Sequence, residues 1–357
     1  MNLTVFGHNI FLVIITCFAA SIAFVLLSIK ISVYIGALDV PDERKIHKTP
    51  IPTLGGIGIF LSFLLGFMLF CPRNDLMFSI LIASFLVLLL GIIDDIHPVP
   101  AKIKFLIHIL ISGIVVFYGG LELDYITIFG MYINFGFFAP FISMLIIVSI
   151  INAMNLIDGL DGLCAGISSI YFFTIAVIAI VLNRLGGLDI ILSLIMLGST
   201  WGFLMYNFPP AKVFMGDTGS TFLGLMISVI TLLGFKTVTL TSLVIPLLVL
   251  AIPILDTLFA IIRRKLKGES IGKPDKEHIH HQILKKTSSK RKTLLIIYAV
   301  DIIFSITSIF YALGHTKEMI VCYVLLLFVL IFLILKTDII FDNSGKRKRK
   351  EEKKVNK

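Results

Sequence analysis

The sequence predicts an all-α integral membrane protein of about 11 transmembrane helices, and three observations predict it. Hydrophobic residues fill 57% of the 357 positions and charged residues only 15%, with a mean hydropathy of +1.02, far outside the soluble range. Apolar runs near the ~20 residues a helix needs to cross a bilayer recur along the whole chain and leave no room for a sizeable soluble domain. Lys and Arg are concentrated in alternate loops, so the two sides of the membrane can be told apart.

The spans read as 3–29, 53–70, 76–93, 103–120, 135–151, 162–182, 188–206, 220–235, 240–262, 293–313 and 319–335. No charge precedes Lys30, so the first run lacks the basic start of a secretory leader and reads as a retained helix. Loops after the odd-numbered spans, with the tail, hold 27 of the 31 Lys and Arg, which puts the N-terminus outside and the C-terminus in the cytosol. Residues 1–335 then form one transmembrane domain. Residues 336–357, with the basic run Lys346 to Lys350, form a disordered cytosolic tail suited to the anionic inner leaflet of the lipid bilayer, and nothing in the chain suits nucleic acid. Cys17, Cys71, Cys164 and Cys322 are scattered without pair spacing, which excludes a disulfide framework. No repeat relates the two halves in the manner of a secondary transporter.

The polar islands fall on the cytosolic side. The first loop holds Asp39, Asp42, Arg44, Lys45, His47 and Lys48 before Gly55 and Gly56 enter the second span. Asp94 and Asp95 close the third span, and Lys102 and Lys104 open the fourth. Adjacent carboxylates repel unless a cation shares them, which points to a general base or a divalent-cation site. In residues 152–166, Asn152, Asn155 and Asp158 recur at intervals of three, and Asp158-Gly and Asp161-Gly then break the helix. Such a stripe is costly to bury without a ligand or a metal, an interhelical hydrogen-bond network being the plainer alternative. Residues 202–221 supply Asn207, Lys212 and Asp217, and the turn from Gly216 to Ser220 runs straight into the eighth span. Free N–H groups at the positive end of that helix are expected to face whatever Asp217 holds. Asp256 lies inside the ninth span, with an Arg, Arg263 or Arg264, as its expected partner, while Asp301 in the tenth stays without a role. No cysteine accompanies His278, His280 and His281, so neutral imidazoles bonding phosphate or sugar oxygens fit better than zinc.

Together these islands resemble one family, the polyprenyl-phosphate N-acetylhexosamine-1-phosphate transferases. The matching segments are Pro52 to Gly56, Asp94-Asp95 with Lys102, Asn152 to Gly162, Phe214 to Ser220, and His278 to His281, in order and on one face. The resemblance implies transfer of a sugar 1-phosphate, most simply GlcNAc-1-phosphate, from a UDP-sugar to undecaprenyl phosphate with release of UMP, initiating a cell-envelope polysaccharide. It implies a magnesium cofactor, with manganese as the alternative ion, and a bacterial inner-membrane enzyme with a cytosolic active site. Carried over by position, Asp217 and Asp158 would bind the metal, and Asp94, Asp95, Asp158 and Asp217 form the catalytic set. Lys48, Lys102, Asn152, Asn155, Asp161, Asn207, Phe214, Arg263, His278, His280 and His281 would bind the substrates. The chain departs from the family at Pro98, where many relatives carry a third acid, and at His108, where many carry Gln. The spacing His278-Ile279-His280-His281 follows the GlcNAc-type branch, so UDP-GlcNAc is the first choice of donor, ahead of another UDP-N-acetylhexosamine or UDP-MurNAc-pentapeptide. Direct attack by the lipid phosphate is favoured, a covalent aspartyl intermediate being the rival, and a homodimer stays open as an option. A secondary transporter of a phosphorylated metabolite is the competing class, and it needs polar groups near the midplane rather than on one face.

Overall fold

A computed structural model of the chain describes residues 3–41, 49–128, 131–236, 250–266 and 278–335. Asp42, Arg44, Lys45, His47 and Lys48, residues 240–249 of the expected ninth span and the 336–357 tail lie outside the described residues. Within them the chain is a helical bundle carrying three small antiparallel strand pairs.

The first helix starts later than the hydropathy suggested. Thr4–Val5 (β1) pairs with His8–Asn9 (β2), and the Asn9 side-chain oxygen Oδ1 accepts the Phe11 N–H at 2.9 Å to start α1 (Ile10–Ile35). Gly36, at φ 75°, ends it in the left-handed conformation that glycine adopts freely. Leu38–Asp39 (β3) and Ile51–Pro52 (β4) then pair and lead into α2 (Gly55–Phe70). Asn74 caps α3 (Asp75–Ile96), taking the Met77 N–H at 2.8 Å. The next helix, α4 (Ala101–Gly113), continues as a π-helical turn over Ile114–Tyr118. Tyr125–Ile128 (β5) and Met131–Asn134 (β6) pair before α5 (Ala139–Ile157). There follow α6 (Leu163–Val181), α7 (Leu188–Asn207), α8 (Gly216–Lys236) and α9 (Ala251–Leu266). A short helix that the sequence reading did not anticipate, α10 (Ile279–Thr287), precedes α11 (Lys290–Ala312) and α12 (Thr316–Leu335).

Eight helices among the described residues are long and apolar enough to cross a membrane, and α2 is a shorter apolar helix. Every expected span coincides with a helix or with the described part of one, so the chain is a multi-pass membrane protein. Its centre is α8, whose apolar stretch is 89% buried against 28% for that of α1. Hydroxyls join the helices inside this core. Ser62 bonds the Cys17 carbonyl at 2.7 Å and the Ser199 hydroxyl at 2.9 Å, and Tyr171 bonds Thr231 at 2.7 Å.

Two glycines set the geometry of the site. Gly56 of α2 lies against Gly219, and Gly91 of α3 against Thr218, with no room for a Cβ at either. The start of α8 is therefore gripped between α2 and α3, which brings the end of α3 beside Asp217.

Candidate functional site

The adjacent acids at the end of α3 divide their work. Asp95 takes the N–H groups of Asp217 at 2.8 Å and Thr218 at 3.1 Å, with the Thr218 hydroxyl at 2.5 Å. The anion expected at the start of α8 is thus supplied by the protein itself, and two of the N–H groups expected to face a ligand face Asp95. Asp94 instead accepts the Val99 N–H at 2.7 Å and the Lys104 ammonium at 3.0 Å. Lys104 reaches on to Asp217 at 2.7 Å, so a single cation links α3, α4 and α8.

Lys104, and not Lys102, is the lysine of this cluster. Lys102 is exposed. Lys104 shares a face of α4 with His108 and bridges Asp94 and Asp217, whereas Lys102 makes neither bridge and lines the adjoining cavity. That helical phase was the available signal.

From the other side, α5 brings its stripe to the same place. Asn155 donates to the Ser220 hydroxyl at 3.1 Å and ties the end of α5 to α8. Asn152 donates to its own helix at the Val148 carbonyl, 2.7 Å away. Asp158 sits just past the helix end, its carboxyl pushed up to about 8 by burial and then by the negative charges of Asp217, Asp95 and Asp161.

The two Gly-containing turns form one bonded unit. Asn207 takes the Gly162 N–H at 2.8 Å and donates to the Val213 carbonyl at 2.9 Å. Asp161 takes Lys290 on both oxygens at 2.9 Å and the Ala211 N–H at 3.3 Å. Arg291 donates to the Pro209 carbonyl at 2.8 Å, and the Tyr298 hydroxyl to the Gly162 carbonyl at 2.5 Å. Phe214, half-buried, is held through its backbone, which receives Gly55 N–H at 3.0 Å and donates to Pro52 at 2.8 Å. The start of α11 therefore clamps both turns, and Lys290, Arg291 and Tyr298 are residues the sequence reading missed. In the sequence they are a basic run and a tyrosine in an apolar span, with no spacing to single them out.

The histidines are positioned by Asp256, which accepts His278 Nδ1 at 2.9 Å and the Ile279 N–H at 2.8 Å and so fixes the start of α10. The expectation of an arginine partner missed these two donors; Arg263 itself is buried in α9. His280 packs on Gly159, next to Asp158. Burial, with His281 and His278 beside it, pushes its imidazole down to about 3, so it is neutral at ordinary pH. Asp301 is fully buried in α11, and neither of its oxygens has a hydrogen-bond partner among the described residues.

A cavity of about 1220 Å³ opens from this cluster between α4, α5, α9 and α10. One end presents Lys104, Asp158, Asp217 and His281, and the walls leading away are apolar, with Phe105, Leu145 and Leu258 among them. The arrangement offers an anion-binding, carboxylate-rich head and an apolar channel for a tail.

Comparison with known proteins agrees with that division. Residues 77–235 match the family described as Glycosyl transferase family 4. A Bacillus subtilis protein, named probable undecaprenyl-phosphate N-acetylglucosaminyl 1-phosphate transferase, is 42% identical over 78% of each chain. The Haemophilus influenzae undecaprenyl-phosphate alpha-N-acetylglucosaminyl 1-phosphate transferase is 32% identical over 84% of this chain and 87% of its own. A Mycobacterium tuberculosis decaprenyl-phosphate N-acetylglucosaminephosphotransferase is 31% identical over 74% and 73%.

Proposed function

Because the chain belongs to glycosyl transferase family 4, we propose that it transfers GlcNAc-1-phosphate from UDP-GlcNAc to undecaprenyl phosphate, releasing UMP. The observation that carries this reading is the Asp94–Lys104–Asp217 bridge at the polar mouth of a long apolar cavity. A lipid phosphate needs both parts. Its isoprenoid chain is accommodated along Phe105, Leu145 and Leu258, and its phosphate meets Lys104.

Phosphoryl transfer asks a protein chiefly for positioning and charge neutralisation. Lys104 offsets negative charge where donor pyrophosphate and acceptor phosphate meet. Asp94, held by Lys104 and the Val99 N–H, is the acid placed to take the last proton of the lipid phosphate, whereas Asp95 is committed to the start of α8. Asp158, whose raised pKa lets it keep or release a proton near neutrality, lies at the edge of the same pocket. Neutral His280, with His281 beside it in the cavity wall, is suited to bonding uncharged or phosphate oxygens of the donor.

Magnesium suits this donor set, since it takes one or two carboxylates and fills its shell with phosphate oxygens and water. Among the described residues no three acidic, histidine or cysteine side chains form a ready-made cage, so Asp217, with Asp158 beside it, would share the ion with substrate. When bound, the ion neutralises and orients the transferred phosphoryl group. The proposed setting is a bacterial inner membrane with this face in the cytosol and the N-terminus outside, an orientation that the concentration of Lys and Arg in alternate loops supports.

The test is UMP release by the purified protein in detergent, with and without undecaprenyl phosphate and magnesium. Release from UDP-GlcNAc that needs both the lipid and the metal supports the reading. Silence with UDP-GlcNAc but turnover with another UDP-N-acetyl sugar would move the donor, and silence with every donor would remove the transferase.

A further inference from the structure

Four residues beyond Lys104, on the same face of α4, His108 lines the apolar part of the cavity. It is 2% exposed, and neither ring nitrogen has a hydrogen-bond partner among the described residues. Leaving a buried imidazole unpaired is costly, and no described residue of α4 or α5 offsets it. The helix rise places it roughly 6 Å deeper along α4 than Lys104. Its neighbours on the cavity wall, Phe105, Leu145 and Val148, are apolar.

We propose that His108 is a second recognition point for the acceptor lipid, donating a ring N–H to a non-bridging oxygen of its phosphate, an oxygen the parent alcohol lacks. The inference rests on the transferase reading for the identity of the lipid. Lys104 holds the outer side of the ionised phosphate, and His108 takes its inner oxygen from one helical turn further in. A hydrocarbon chain beside the imidazole would leave it unpaired, whereas a phosphate drawn one turn into the cavity offers separate oxygens to Lys104 and His108. Glutamine, with an amide N–H at similar reach, can serve in its place.

Undecaprenyl phosphate and undecaprenol are titrated separately into the full chain in detergent, read by native mass spectrometry, for wild type, His108→Leu and His108→Gln. His108→Leu is expected to weaken binding of the phosphate about tenfold and leave the alcohol unchanged, while His108→Gln stays near wild type. In turnover, KM for the lipid rises in the Leu variant and KM for the UDP-sugar does not, which also reports an intact fold. Equal phosphate binding by the Leu variant, equal weakening for both lipids, or no rescue by Gln overturns the contact. If wild type shows this binding pattern but releases no UMP, the transferase reading falls and the contact stands. Normal turnover with lipid binding unchanged in the Leu variant does the reverse.

Discussion

The two halves of the site are built on opposite principles. On the side of α11, Asp161, Asn207 and the turns around Gly162 and Pro209 are saturated, each polar group engaged by Lys290, Arg291, Tyr298 or backbone. On the side of α3, α4 and α8, Asp94, Asp217 and nearby Asp158 crowd together with Lys104 between two of them. A saturated network is rigid and has little left to offer a ligand. A cluster with surplus negative charge is strained toward binding a cation or a proton. The difference separates the part that holds the pocket's shape from the part equipped to act.

The largest effect should follow from breaking the second half. Asp217→Asn keeps the size of the side chain but removes the charge that Lys104 and magnesium would share. Turnover is expected to fall by about a thousandfold or more, with the protein still inserted and monodisperse. UMP release per mole of purified variant measures it, and wild-type-like activity would remove Asp217 from the metal assignment. Next in size is Lys104→Gln, expected to lower turnover about a hundredfold, whereas Lys102→Gln, at an exposed lysine of the cavity lining that bridges neither Asp94 nor Asp217, lowers it less than about tenfold. Equal losses in the two variants would contradict the division of labour between these lysines.

How much of this was legible beforehand follows the same division. Spans, polar islands and their common face could be read because hydropathy and charge are one-dimensional signals. The extended first span failed because residues 3–9 are apolar enough to continue a helix, yet turn into a hairpin closed by the Asn9 cap. Asp94, Asp95, Asp158 and Asp217 could be named, since carboxylates at membrane edges stand out. Their separate jobs could not, because Asp95 meets the start of α8 only through the contacts of Gly56 and Gly91, 122 residues of separation that no local pattern encodes. Lys290 and Tyr298 were invisible for the same reason, lying 129 and 136 residues from the groups they bond.

Disturbing the saturated half should act more mildly and on binding. Lys290→Met leaves the buried Asp161 carboxylate without its cation, an unsatisfied acceptor that costs about 1–3 kcal/mol. We expect a lower melting temperature and a several-fold higher KM for the UDP-sugar, with KM for the lipid unchanged. Lys290→Arg should restore most of both. An equal rise in both KM values would show that the clamp serves the whole fold rather than the donor turns.

The smallest effect tests the charge surplus directly, through pH. The Asp158 carboxyl, raised from 3.8 to about 8, keeps its proton in the folded protein across a range where the unfolded chain has lost it. The folded state then binds more protons between about pH 4 and pH 8, so stability falls as pH rises through that window. Asn does not titrate. In metal-free buffer, wild type should therefore lose about 2–4 °C more of its melting temperature between pH 5 and pH 8.5 than Asp158→Asn does. Adding magnesium at pH 8.5 should narrow the gap, because a cation among ionised carboxylates relieves the repulsion that raised the pKa. Identical pH slopes in the two proteins would mean that the surplus charge is carried by the other acids of the cluster and not by Asp158.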